Sequence, residues 1–517
     1  MKPQDVTGNL ELVQAPARGC PERHPDIRSH HSKAKATIDS LPFEILSAIF
    51  DIVHQDWLMY ALHPELYTMQ PVELRSRSWK GLMKLLYQFP YIPAAVCHYW
   101  RSIIASTPKY WTRSVIFVDT KDPLSSLSNL LTLLKHSRNL PVSVAVVRKS
   151  YNIMYDKEEG INVYLYMDVL LRNLHRIQDL YFHVNQSSSL PSIIKFIQRH
   201  RPVSLARLAL HCDIDDGDNT DDTFRLSVSS IKGTRSALTN LKIDGRNFMT
   251  IARNPTMWAL TLSRLTSLTL ERVQYSDRPR RNIPFNAAIE FISKLPRLEV
   301  LTIRDVLFEV SPVVQGSPLS EITISDLILE DLGDGVLKTI FDRVLFKPSY
   351  MLLRNVLIDE LPRIPQPNYL ELCEIPIDQD LEDFLCFWDG EVLAVRSCLG
   401  FDDNLLALFQ AEISPPFHVM LSPSLRELHI QDCTEFSSKA LRSMVQARKG
   451  FTERPDNADL TGLACITDVY VCGLGPVLEP EDAVWLRKNL KTFVWSTIQA
   501  NGGSCHLEHH SSVPLMT

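Results

Sequence analysis

The sequence predicts an α/β protein: a small N-terminal helical module followed by an irregular repeat solenoid, with parallel strands on its concave face and helices outside. Three observations predict it. A short apolar pattern, Leu-x-x-Leu-x-Leu, returns many times between Leu205 and Ile466. Segments of helical periodicity alternate with those copies. Ahead of them, from Ile38 to Trp111, apolar residues recur at helical spacing in two separate blocks.

The clearest repeat copies are LARLALHC from Leu205, LTNLKIDG from Leu238, LTSLTLERV from Leu265, LEVLTIRDV from Leu298 and LRELHIQDC from Leu425. Successive starts from Leu205 to Leu298 lie 33, 27 and 33 residues apart, a period that points to stacked units. Weaker copies begin at Ile177, Leu319, Pro367, Gly390 and Ile466. A short strand turns its aliphatic residues inward, and in most copies an apolar residue or Cys closes the unit by returning to the core. PFNAAIEFISKLP and LEDFLCFW supply outer helices. One unit cannot cover its own apolar face, so neighbours stack. The pattern resembles leucine-rich repeats of irregular unit length.

In the N-terminal block, Leu41-Pro42 opens a helix, because proline loses nothing in a first turn whose N–H groups have no intrahelical partner. Glu44 sits at the positive end of the helix dipole. Ile45, Leu46, Ile49, Phe50 and Val53 make one wide apolar stripe. A second block, Val96-Cys97-His98-Tyr99-Trp100-Arg101-Ser102-Ile103-Ile104, repeats the theme, and Trp111 closes the segment. This order of residues resembles the F-box. A spacer of about 35 residues (about 56–90) and the Ser106-Thr107-Pro108…Trp111 ending make it similar to F-box-like proteins of mushroom-forming fungi. The spacing within the spacer predicts a helix of its own, with Leu74, Trp79, Leu82, Leu85 and Leu86 on one side. The resemblance implies docking on a Skp1-like adaptor, and through it on a cullin ligase. Leu41, Pro42, Ile45, Ile49, Val96, Cys97, Trp100 and Ile104 would supply the apolar contact.

The expected organisation is a disordered leader over 1–37, the helical module over 38–115, the solenoid over 116–500 and a disordered tail over 501–517. A net charge of −6 gives no concentrated basic surface for nucleic acid or anionic membrane. No apolar run reaches membrane-spanning length and no signal peptide opens the chain. Ten scattered cysteines without paired spacing suit reduced, buried thiols, hence a cytoplasmic and/or nuclear location.

No catalytic, cofactor-binding or metal-ligating motif is expected. The acidic run from Asp213 to Asp222 fails EF-hand spacing, since Asp218 stands where the loop needs glycine and Phe224 where it needs glutamate. Cys20, His24, His30 and His31, like Cys505, His506, His509 and His510, lie in polar terminal segments without the paired spacing of a structural zinc site. No phosphate-binding glycine loop, nucleophile elbow or His-Glu-x-x-His helix appears, and Cys97 has the apolar neighbours of a packed thiol. Between the buried leucines, Arg207, His211, Lys242, Glu271, Arg304, Arg426 and His429 are expected to face outward as a mixed-charge ribbon. Such a ribbon is the usual place for a solenoid to hold a protein client. The alternative is a binding scaffold that keeps the helical module without the ligase.

Overall fold

The computed structural model describes residues 41–61, 89–148, 157–197, 204–216, 236–271, 283–306, 308–309, 320–358, 364–376, 381–410, 421–452, 464–498 and 504–505. Fifteen strands form one sheet in unbroken chain order. They are β1 (Arg113–Phe117), β2 (Val142–Val147), β3 (Ile177–Gln186), β4 (Arg207–Ile214), β5 (Asn240–Asp244), β6 (Ser267–Glu271), β7 (Val300–Arg304) and β8 (Asp326–Glu330). They continue as β9 (Tyr350–Arg354), β10 (Tyr369–Cys373), β11 (Val392–Arg396), β12 (Glu427–Gln431), β13 (Asp468–Leu474), β14 (Thr492–Ile498) and β15 (Ser504–Cys505). Every neighbouring pair is parallel except the last. A parallel neighbour needs a crossover, and here each crossover advances one place in the same direction, which is what makes a solenoid.

The register holds the repeat together. Leu241, Leu268, Leu301, Leu327, Met351, Leu370, Leu393, Leu428 and Val469 face one another along β5 to β13, all at most 2% exposed. Burying one such side chain contributes roughly 1.5–3 kcal/mol, and the column belongs to a single apolar core running from Leu46 to Trp495.

A second feature recurs one residue past the strand. Asp305, Asp331, Asn355, Glu374, Ser397 and Asp432 are left-handed, with φ between 47° and 54°. Each donates its backbone N–H to a carbonyl at or near the end of the next unit's strand, at 2.8–3.1 Å. Asp and Asn tolerate this conformation better than most residues. The turn then delivers Val306, Leu332, Val356, Ile375, Cys398 and Cys433 into the core, at most 4% exposed. Val306, Ile375, Cys398 and Cys433 are position-nine residues of the sequence pattern, and Cys398 and Cys433 are free thiols.

The sequence copies mark nine strands of the long sheet and none at β1, β2, β9 or β14, and two further segments depart from the expectation. The copy from Leu319 lies off the long sheet: Ser320–Thr323 pairs with Val344–Lys347 in a separate two-stranded sheet, and the long sheet takes Asp326–Glu330 instead. Ser504–Cys505, in the segment expected to be a disordered tail, pairs antiparallel with Thr497 and Ile498. The leader, most of the spacer, the rest of the tail and both terminal Cys/His clusters apart from Cys505 lie outside the described residues.

Outer helices include Phe285–Ser293 and Leu381–Cys386, the two expected from sequence, and Asp403–Leu408, Ser438–Thr452 and Pro480–Asn489. Gly390 is required by close packing: a Cβ there would run into the Pro367 carbonyl and the Trp388 ring. Arg448, on Ser438–Thr452, is wholly buried and donates to the carbonyls of Leu421, Ser422, Pro423 and Ala464 at 2.9–3.4 Å. Burial pushes its guanidinium down to about 10, so it remains a cation at neutral pH. One planar fork thereby ties together the two loops that carry these carbonyls. Arg448→Met is expected to cost about 3 kcal/mol by removing all four of these charge-assisted bonds from a buried place, read as a lower urea midpoint with native circular dichroism before the transition.

Candidate functional site

Two surfaces carry the residues that the sequence singles out. The first is the N-terminal module: α1 (Phe43–Ala61), α2 (Tyr91–Val96), α3 (His98–Ser106) and a 3-10 turn over Pro108–Trp111. Along α1 the apolar residues split between two faces. Leu46, Phe50 and His54, spaced i, i+4, i+8, are buried. The Phe50 ring meets Trp100 edge-on at 5.0 Å, and His54 lies 5.3 Å from Tyr110. Ile45, Ile49 and Ile52, spaced i, i+4, i+7, form a neighbouring row that stays exposed among the described residues, at 49%, 36% and 61%. Phe43, Val53, Ile92, Val96 and Tyr99 are exposed as well.

The module is fastened from below. Tyr110 donates to Asp51 Oδ1 at 2.6 Å, and Lys109 pairs with the same oxygen at 2.7 Å. Burial raises the Asp51 carboxyl, but these two bonds outweigh it and hold it below its ordinary value. Trp111 donates its indole N–H to Ile104 O at 2.8 Å and stacks on His136 of α4 (Pro123–His136) at 4.6 Å. Tyr91 donates to Asn129 O on the same helix at 3.4 Å. The module therefore packs on α4 beside β1.

Of the residues expected to meet an adaptor, Pro42, Ile45, Ile49 and Val96 are exposed and Leu41 and Trp100 are half-buried. Cys97 caps α3, its Sγ accepting from Trp100 N at 3.4 Å. Ile104 corrects the expectation. It is fully buried, because α3 turns it and Ile103 toward the solenoid. Phe43, Ile52, Ile92 and Tyr99 belong to the bare surface and were missed; the helical spacing from Ile45 identifies Ile52.

The second surface is the concave face, where strand-end residues form a ladder. Glu271, Arg304, Glu330 and Arg354 are in register on β6, β7, β8 and β9. Arg304 lies 3.5 Å from Glu271, 3.7 Å from Glu330 and 3.1 Å from Asp331, and Arg354 lies 3.2 Å from Glu330. Lys242 reaches Glu271 at 2.6 Å, and His211 Nδ1 donates to the same carboxylate at 3.1 Å. Arg207 pairs with Asp179 at 2.6 Å, Arg396 with Glu371 at 3.1 Å, and His429 with Glu427 at 2.6 Å.

The expected mixed-charge ribbon is thus spent largely on itself. His211 and Glu271 are buried rather than outward-facing, because in-register stacking sets each charge beside its neighbour and excludes water from both. Burial raises the Glu271 carboxyl, and the surrounding His211, Lys242 and Arg304 outweigh it, holding the group well below the carboxylate range. Arg426, 61% exposed and only 3.9 Å from Glu391 at its nearest, stays available. So does the strip made by Tyr369, His429 and Tyr470, in which His429 stacks on Tyr470 at 4.5 Å. No family model matches the chain, and no curated protein matches it.

Glu271→Gln is expected to cost about 3 kcal/mol, since it removes the buried carboxylate that Lys242, His211 and Arg304 share, whereas Arg426→Ala stays within about 0.5 kcal/mol; urea unfolding of the two variants separates them. Burial holds the His54 imidazole down to about 4, with Arg113 and Lys109 adding to the effect. Below pH about 6.5 the unfolded chain binds a proton that the folded module refuses, so stability falls with pH down to about 4 and the slope ends there. His54→Leu is expected to remove up to about 1.4 kcal/mol per pH unit of that dependence, read as the wild-type-minus-variant difference in melting temperature between pH 4.5 and 7.

Proposed function

We propose that this chain is a non-catalytic substrate receptor of an SCF-type (Skp1–cullin–F-box) ubiquitin ligase. Its N-terminal helices dock a Skp1-like adaptor and its concave face holds a protein client. The observation that carries the reading is the bare Ile45/Ile49/Ile52 row. A helix already anchored through Leu46, Phe50 and His54 keeps a second aliphatic face in water. Exposed apolar surface of this kind marks a place where another protein packs. The F-box-like order of residues over the same helices supports an adaptor as that protein.

The client side of the reading rests on what the ladder leaves over. Arg426, Tyr369, His429 and Tyr470 offer aromatic and cationic contact on the concave face of the later repeats, and interfaces draw most of their energy from Tyr, Trp and Arg. The receptor performs no chemistry. It raises the client's local concentration beside a transfer enzyme carried by the cullin.

Recombinant full-length chain is expected to capture Skp1, and Ile45→Glu/Ile49→Glu to weaken that capture at least about 30-fold, as loss of a hot-spot contact does, with circular dichroism unchanged. Capture by neither protein would leave the alternative, a leucine-rich-repeat scaffold whose module recruits no ligase.

A further inference from the structure

The linear sequence carries no metal motif near residue 200, but the sheet register assembles one. His183 on β3 and His211 on β4 are register partners, and Asp213 follows two residues later on the same face of β4. One ligand atom from each of the three lies within 4.8 Å of the other two. His183 Nε2 is 2.9 Å from Asp213 Oδ1, His211 Nε2 is 3.7 Å from the same oxygen, and the two rings are 4.5 Å apart.

Glu271 defines the chemistry. Its carboxylate can only accept, so His211 Nδ1, 3.1 Å away, carries the hydrogen. In the neutral ring that leaves a lone pair on Nε2 facing an oxygen of Asp213, an arrangement of two acceptors that a cation resolves. A buried carboxylate behind the outer nitrogen is also the support that metal-ligating histidines use to fix tautomer and raise basicity. Glu271 is itself held in place by Lys242 and Arg304. The His183 and His211 side chains are 11% and 10% exposed while the Asp213 side chain is 35% exposed, so the cluster opens to solvent on one side, where water can complete a coordination shell. Cys212, between the two β4 residues, points into the core and takes no part.

We propose that His183, His211 and Asp213 bind a divalent zinc ion, with Glu271 positioning His211. Two imidazole nitrogens and one carboxylate oxygen are a zinc donor set. Bonds of about 2.0–2.2 Å to a tetrahedral ion place donors roughly 3.3–3.5 Å apart, and the 2.9 and 3.7 Å separations bracket that spacing. The ion would tie β3 to β4 beside the Glu271 end of the charge ladder. The inference does not depend on adaptor docking.

The test compares full-length chain, stripped with a chelator, with His183→Gln and Asp213→Asn. Titration with zinc chloride by calorimetry is expected to find one more equivalent bound by the wild type than by either variant. Zinc is expected to raise the melting temperature of the wild type alone. Should His183→Gln fail to fold, Asp213→Asn, altered at a partly exposed side chain, carries the comparison. Cobalt substituted into the wild type should give the visible bands of a four-coordinate nitrogen–oxygen site. Equal stoichiometry in wild type and Asp213→Asn, no binding at all, or intense sulfur-to-cobalt charge transfer would each overturn the proposal.

Discussion

The constraint on which this structure depends is the zero-shift register of its parallel strands. Once β5 to β13 align residue for residue, a position in one repeat touches the same position in the next. Each position becomes a column, and a column must be chemically compatible with itself. Aliphatic residues meet that demand without further arrangement, and they make the core. The left-handed residue after each strand meets it through a backbone bond to the following unit, which lets Glu374 and Ser397 stand where Asp and Asn are more at home. Charged residues cannot meet it unaided, because like charges directly opposite repel. The structure answers by alternating sign from Glu271 to Arg354.

A stack of identical interfaces also exposes one at each end. At the start, the N-terminal module packs on α4 beside β1 through the Trp111–His136 stack and the Tyr91–Asn129 bond. At the finish, β15 runs antiparallel against β14 and ends the parallel series. The first helix of the N-terminal module thus carries two apolar faces. Leu46 and Phe50 pack into the common core, and Ile45 and Ile49 stay exposed.

This division shows where reading the sequence succeeds and where it stops. The Leu columns are legible because they repeat in one dimension. Tyr350–Arg354 lacks the leading Leu and Thr492–Ile498 carries Phe and Trp, so neither announces itself. Ser320–Thr323 alternates correctly and still joins another sheet, since alternation reports a two-faced strand without naming its neighbour. The fate of concave residues is decided by contacts between units. Arg304 and Glu330 become partners only once the register is known, as do His183 and His211, 28 residues apart in the chain. On α1 and α3 every candidate is aliphatic or aromatic, so hydrophobicity alone could not separate buried Ile104 from bare Ile45.

The alternating ladder has a consequence for how such an array can lengthen or shrink. Over β6 to β9 the repeats are no longer interchangeable, because Arg304 and Glu330 each differ in sign from both neighbours. Deleting β7 or β8, or duplicating any one of the four, would seat two arginines or two glutamates side by side. Changing two adjacent units together preserves the sequence of signs. A neutral rung such as Cys373, between Arg354 and Arg396, breaks the rule and permits odd steps. The charge order therefore gives this stretch a counting parity, with Cys373 as the point where the count can restart.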